Sequence, residues 1–388
     1  MSSASRRAPA GLGLLVLLAG LSLAACSATP SSAPSSPTAP RPPGTTVVTP
    51  STTTTPSTTP TTTTPTTTTP TTTTPTTTTL PSPIAIDETR PVGPAAVLGR
   101  VLRVPVLVVA PGHPVIPPPS PTDPGAARTL LIGYRQFGSG PALVAIAGED
   151  ASMSWWDPTL LETLAQHFEV TIFDLPGVGF SSPLRSAPSL SLYAGATAGL
   201  IGALGLHRPI LLGWGLGGQV ALEVAEGHPD AIGDLVVVDS GAGGSGEVGS
   251  LLQARAELAS PMVTPALVAP YFFPPAQLAA ETGYLDALGE VAPDVVVATT
   301  VVAEARLEAE LSASNRLASD LGRVSTPTLV VCGSEDEIFP EADSVLLAAR
   351  LLHARLLVIK KAGYGAIFEH EHEFLDSLLS LPSAAATS

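Results

Sequence analysis

The sequence predicts an α/β protein: a mostly parallel sheet with helices on both faces and a helical lid inserted late in the chain. Three observations carry that expectation. Short continuous apolar runs (LVAI, VTIF, ILLG, LVVV, TLVV) alternate with stretches of helical spacing, as strands buried on both faces require. One of them, Ile210–Gly213, runs into the turn Gly213-Trp214-Gly215-Leu216-Gly217 and then into a helix carrying Val220, Val224 and Ala225. From 241 to about 322 no such run occurs, and the chain reads as helices placed over the strand ends.

In order, the chain starts with Arg6 and Arg7 before an apolar run, Leu12 to Ala25, too short for a membrane span. A basic start, an apolar middle and small residues at the end describe a secretory signal over 1–25. Its last four residues, Leu23-Ala24-Ala25-Cys26, resemble the lipobox of bacterial lipoproteins, and the resemblance implies a lipid on Cys26. Export to the outer face of the bacterial cell membrane follows as the expected location.

Residues 26–83 form the next unit. Prolines at Pro60, Pro65, Pro70 and Pro75 are separated by four threonines each. Such a composition buries no core and reads as an extended tether, with a reach on the order of 150 Å at about 3.1 Å per residue. Threonine- and proline-rich stalks of this kind are expected to carry O-linked sugar. Residues 84–127 read as an irregular proline-rich segment. Val101–Ala110 is apolar enough for a strand, but Pro105 interrupts it, so an edge strand and a membrane-proximal segment both stay open.

The globular domain is expected over 128–380, with a tail at 381–388. Strands are expected at 129–138, 141–148, 170–174, 209–213, 234–239, 328–333 and 355–360. Within the lid (about 241–322), residues 251–259, 274–291 and 294–321 read as helices.

Composition narrows the partners. The net charge is −15 and no basic stripe exists, which excludes nucleic-acid binding. The partners left are the membrane, through Cys26, and an apolar small molecule or an envelope protein. No cofactor is expected, since neither a dinucleotide glycine fingerprint nor a P-loop is present. The EHEHE stretch at 369–373 does not have HExxH spacing, so no metal site is expected either. Of the two cysteines, Cys332 ends a strand and reads as a small buried hydrophobe.

Several motifs fall in order across 141–380. They are Ala147-Gly148, the turn Asp174-Leu175-Pro176-Gly177-Val178-Gly179-Phe180-Ser181, the glycine turn at 213–217, His228-Pro229-Asp230, the loop Gly333-Ser334-Glu335-Asp336, and Ala362-Gly363-Tyr364 with Glu369 and Phe374 downstream. Together they resemble the α/β-hydrolase fold family. By that resemblance the glycine turn is the nucleophile elbow, written G-x-S-x-G, and the three triad positions fall on Gly215, Asp336 and Tyr364.

Glycine has no side chain to attack with, and tyrosine, ordinarily near pKa 10, is a poor base at neutral pH. The oxyanion hole would be made by the backbone N–H of Leu216 and that of Glu149, next to Asp150. Carboxylates there oppose a developing negative charge. The resemblance therefore implies a hydrolase fold without hydrolase chemistry, a binding or scaffolding module.

The alternative is a serine-type hydrolase or esterase with a displaced nucleophile, Ser240 or Ser152 (Ser154 lies beside the latter). Its weakness is the missing base: His167, His207, His228 and His353 fall at helix ends or turns and read as surface residues. Asp336 is expected either to be solvated or to accept from the Tyr364 hydroxyl. Trp155, Trp156 and Trp214 gather at the elbow, as core packing or as the wall of an apolar ligand pocket.

Overall fold

The computed structural model describes residues 84–85, 100–109, 111–112, 129–149, 151–184, 186–244, 246–247, 265–279, 283–284 and 298–385. The signal segment, Cys26, the tether, Asp150 and the expected helix at 251–259 lie outside them. Among the described residues no helix is long and apolar enough to cross a membrane.

Nine strands are present: β1 (Ile84–Ala85), β2 (Leu102–Leu107), β3 (Thr129–Gly138), β4 (Ala142–Ile146), β5 (Glu169–Phe173), β6 (Ile210–Trp214), β7 (Asp234–Val238), β8 (Thr328–Gly333) and β9 (Ala354–Ile359). They form one sheet in the order β1-β2-β3-β5-β4-β6-β7-β8-β9. Pairing is parallel from β5 through β9 and antiparallel among β1, β2, β3 and β5. After β4 the chain lays β5 on one side and then β6 on the other. The crevice at the carboxyl ends of β4 and β6 is therefore the switch point where α/β sheets take ligands.

Alternate residues of the central strands feed two separate cores. Leu143, Ala145, Leu212, Trp214, Val236 and Val238 face α1 (Pro158–Ala165) and the C-terminal helix Glu371–Leu379. Val144, Ile146, Leu211, Leu235 and Val237 face α2 (Leu190–Ala203) and α3 (Leu216–Gly227). This two-residue alternation is why the runs are apolar throughout. Local signals set the helix starts. Asp157 caps α1 through Thr159 and Leu160 N–H groups, ahead of Pro158, and Ser189 caps α2 through the Leu192 N–H.

The segment expected to be irregular supplies an edge of the sheet. Val101, Val104 and Val106 are buried, and β2 pairs along its length with β3. Pro105 stands opposite Leu131, whose N–H and C=O both turn away from β2 to Ser182. In an antiparallel pair the position opposite then also turns its nitrogen outward, so the missing N–H breaks no ladder bond. β2 also packs on α2 by backbone contact: the Val109 N–H donates to the Gly195 carbonyl at 3.1 Å, and a Cβ on Gly199 would collide with the Leu107 carbonyl.

Other expectations change. Residues 275–279 are turns rather than helix, with Gln277 and Leu278 N–H groups closing on the Pro274 carbonyl. A lid helix, α4 (Pro265–Phe272), precedes them instead, and α5 (Ala298–Ala313) follows. Residues 382–385 of the expected tail form a helical turn whose Ser383 N–H donates to Asp234. His228 is buried, not a surface residue, because its N–H closes α3 on Val224 and the Pro229–Ala231 turn folds over it.

The close β2–α2 contact predicts that Gly199→Val lowers stability by about 1–3 kcal/mol through overpacking, read as a fall in Tm. Gly322→Ala, where nothing lies within 4 Å of the new Cβ, is expected within about 0.5 kcal/mol of the parent. Equal Tm changes in the two variants would mean that the segment 101–109 does not pack on α2.

Candidate functional site

Two glycines build the turn between β6 and α3. A Cβ on Gly213 would enter the Gly217 backbone, and one on Gly217 would meet the carbonyls of Ile146 and Ala147 at the end of β4. Between them Gly215 takes φ 56° and ψ −123°, a conformation that costs an L residue about 1–3 kcal/mol and glycine little. Its N–H donates to Val238 at 3.0 Å, and its carbonyl accepts from the Gly218 N–H and, at 2.7 Å, from the Ser240 hydroxyl. Ser240, 0% exposed, is thereby a brace for the turn.

The space that a side chain at 215 would need is occupied. A Cβ there would fall on the Tyr364 hydroxyl oxygen and 2.6 Å from Glu149 Oε2. The Tyr364 hydroxyl donates to Glu149 Oε2 at 2.8 Å, and the Leu216 N–H, first of α3, donates to the same oxygen at 3.2 Å. Glu149 was expected to bring a backbone N–H here; its carboxylate comes instead, as acceptor. The positive end of α3 favours an anion at this place. Burial, then the neighbouring Glu149 and Glu308 carboxylates, hold the Tyr364 hydroxyl well above its ordinary pKa, so it remains a donor.

Asp336 does not accept from Tyr364. Its Oδ1 takes the N–H groups of Ile338 (2.7 Å) and Phe339 (3.0 Å), closing the loop after β8. It is not solvated either, and its other neighbour is Asp239, at the end of β7. Asp239 Oδ1 accepts from the Gly333 N–H at 2.9 Å, and Oδ2 of both acids is buried. Each of these two buried carboxyls opposes ionisation of the other. Two buried like charges near one another favour the protonated form. Burial pushes Asp336 up to about 8, with Glu149 adding to the rise and the loop N–H groups opposing it; Asp239 moves the same way, through burial and then Asp336.

Sequence reasoning missed Asp239, because a single acid at a strand end carries no local signal of what faces it. It also missed the task of Asp174. That buried carboxylate accepts from Met153 (2.8 Å) and Phe180 (2.7 Å) N–H groups and ties the 174–181 turn to the loop after β4. Burial raises it to about 6 against those two bonds. A Cβ on Gly179 would run into this carboxylate, which explains the glycine. Ser152 accepts from the Ser154 N–H at 3.3 Å, and both serines are buried.

Aromatic rings close over the elbow. Trp214 lies 4.7 Å from Tyr364 between ring centroids, and Phe272, from lid helix α4, lies 5.3 Å from each. Phe368 stands edge-on to Trp214 and Trp156, and Trp155 is half-buried beside Phe272. The Trp214 indole N–H donates to the Tyr364 carbonyl at 2.9 Å. The tryptophans thus pack on one another and on the lid. A cavity of about 510 Å³ opens elsewhere, at Thr129, Ser182, Leu184 and Leu192, and touches no elbow residue.

Among the described residues no group of three or more His, Cys, Asp or Glu could hold a metal ion. Cys332 is buried, and burial pushes its thiol up to about 12, where it is inert.

A model of the alpha/beta hydrolase family matches residues 138–377. The pimeloyl-[acyl-carrier protein] methyl ester esterase of Aeromonas hydrophila is 29% identical over 261 residues, 64% of this chain and 97% of that protein. Among solved structures, a hydrolase from Pseudomonas aeruginosa aligns with a TM-score of 0.53 at 25% identity, covering 65% of this chain and 94% of that one. A thermophilic esterase from Thermogutta terrifontis aligns at 0.57 and 21% identity over 71% and 96%, a likeness of fold.

The Asp239–Asp336 pair makes stability pH-dependent in a stated direction. Asp336 titrates near 8 when folded and near 3.8 when unfolded, so the folded state holds the extra proton between those values. The stabilisation is complete below about pH 4 and is lost as pH rises through about 8. Between pH 6.5 and 8.5, above the Asp174 value, unfolding free energy should fall with a slope of at most about 1.4 kcal/mol per pH unit per proton. Asp336→Asn, which keeps an acceptor for Ile338 and Phe339, should flatten that slope in denaturant titrations. Parallel pH profiles for parent and variant would rule out a raised Asp336 carboxyl.

Proposed function

This chain belongs to the alpha/beta hydrolase family, and from that premise we propose that it is a non-catalytic member, a binding or scaffolding module carried on the bacterial envelope by a lipid on Cys26. The observation that carries the first part is the occupied elbow. Where a family enzyme raises a serine, this chain has Gly215, and the volume of the missing side chain holds the Tyr364 hydroxyl and a Glu149 oxygen. Where such an enzyme receives a developing oxyanion, the Leu216 N–H is bound to a carboxylate.

Acyl transfer needs a nucleophile, a base and an electrophilic hole. Removing the serine or the histidine of a triad costs about 10⁶ in kcat by itself. The relative named as an ester hydrolase gives the reaction class against which the loss is judged. A displaced serine does not answer the need. The Ser240 proton is committed to the Gly215 carbonyl, Ser152 accepts from a backbone N–H, and His167, His207 and His353 are exposed just ahead of the amino ends of β5, β6 and β9, not at the carboxyl ends.

The anchoring part rests on the sequence: the apolar segment ending in Cys26 and the Thr/Pro tether after it. A domain held on such a tether acts by what its surface or pocket binds, an envelope protein or an apolar molecule.

Purified protein is expected to hydrolyse p-nitrophenyl acetate no faster than buffer and to take no fluorophosphonate label. Labelling or turnover removed by a single pocket substitution would refute the non-catalytic reading. Gly215→Ser with Tyr364→His should also be silent, because Glu149 still fills the hole. Adding Glu149→Ala to that pair is expected to bring labelling. In cells, Cys26→Ser should move the protein from the membrane pellet to the soluble or secreted fraction, and an unchanged pellet fraction would refute lipid anchoring.

A further inference from the structure

Glu149 has no task in the reading above beyond blocking chemistry, yet the contacts around it reach further. Its Oε2 gathers two donors from separate elements, the α3 terminus and the 362–365 loop. Tyr364 carries that connection on to the lid: its N–H donates to the Tyr271 carbonyl at 3.1 Å, and the Gly365 N–H donates to the Phe272 carbonyl at 2.9 Å. The approach is close, since a Cβ on Gly363 would lie 2.7 Å from the Phe272 carbonyl oxygen and 2.8 Å from that of Tyr271. The Trp214 indole fixes the Tyr364 carbonyl as well. One carboxylate thus stands at the head of a chain of hydrogen bonds running from the elbow to the end of α4.

We infer that the Glu149 carboxylate is a built-in ligand of the elbow and acts as a latch that fastens the lid end at Tyr271–Phe272 over it. The seat is built for a carboxylate: a helix N–H and a hydroxyl converge on one oxygen at hydrogen-bond distance. Among the described residues, no other side chain bonds to the Leu216 N–H or accepts from the Tyr364 hydroxyl. Glu149 is half-buried, while Leu216 and Tyr364 are buried. Without the latch, two buried donors lose their acceptor, and the lid end keeps only its two backbone bonds and its ring contacts.

The inference adds a conformational task to the proposed function and is read by stability and exchange rather than by turnover. Ester hydrolysis by the parent would sink the non-catalytic reading, while the latch would still be judged on the results below.

In the full chain, Glu149→Ala leaves a methyl group and an empty seat that acetate fits. Tm is expected to fall by about 2–8 °C, and amide hydrogen exchange of the 267–273 peptide to quicken at least about threefold. Sodium acetate at 100 mM should restore at least half of both losses. Acetamide (the neutral isostere) and sodium chloride at matched ionic strength should not, and none of the three should alter the parent beyond the common salt effect. Acetate acting equally on parent and variant, or no better than acetamide, would overturn the inference, as would unchanged exchange at 267–273. Should the alanine variant fail to fold, Glu149→Gln carries the test. It keeps an acceptor but loses the charge that strengthens both bonds. Faster exchange at 267–273 is expected there, and parental exchange would overturn the latch.

Discussion

The constraint on which the rest of this molecule depends is the close passage of the backbone at the end of β6. Gly213 and Gly217 let the turn lie against itself and against the carbonyls that end β4. Any side chain at either place would push α3 off the sheet. This sets where α3 begins, and so where the Leu216 N–H points, at the switch point beside the loop after β4. Everything at the site is arranged about that one direction. The geometry is independent of whether position 215 carries a reactive group, and so it persists with glycine there.

A second organising fact is the density of buried acid. Asp239, Asp336 and Glu308 are buried and Glu149 is half-buried; Glu149, Glu308 and Asp336 all raise the Tyr364 hydroxyl, and Asp336 raises Asp239. Full ionisation of such a group would be costly in a low-dielectric interior. The structure meets this in two ways. Asp239 and Asp336 both hold their protons more tightly than an exposed acid, and the carboxylate of Glu149 is placed at a helix N-terminus with a neutral hydroxyl beside it. Asp174, at about 6, is supported by two N–H donors and by Arg135 and Arg103. Each of these is a means of holding a loop in place. Among the described residues, the polar interior of this domain joins loops to the sheet.

The sheet was legible in the sequence because buried parallel strands are written as continuous apolar runs, and the central strands fall within a residue or two of where those runs lie. The elbow was legible because close backbone approach admits only glycine. What escaped was whatever depends on a partner distant in sequence. Pro105 argued against a strand until its register with Leu131 turned its nitrogen outward. His228 looked exposed at a helix end until the next turn covered it. Tyr364 stood out through the motif Ala362-Gly363-Tyr364, but the target of its hydroxyl did not. Asp336 and Glu149 are both acidic residues in loops, and only the fold says which lies 2.8 Å away. Phe272, which seals the site, comes from a lid helix that no periodicity announced.

Positions 149, 215 and 364 are best understood as one unit. An elbow that carries a serine holds an L residue at a conformation worth about 1–3 kcal/mol of strain, and its oxyanion donor waits for a ligand. Glycine at 215 releases the strain. It also leaves the volume into which the longer tyrosine reaches, and tyrosine supplies the donor that, with Leu216, holds the carboxylate of Glu149. The three residues share one volume and one set of hydrogen bonds. Energies of residues in such contact are not additive, so no one of them has a separable worth. An active site gives up stability to keep polar groups exposed for a substrate. Here the Leu216 N–H and the Tyr364 hydroxyl are turned on the Glu149 carboxylate.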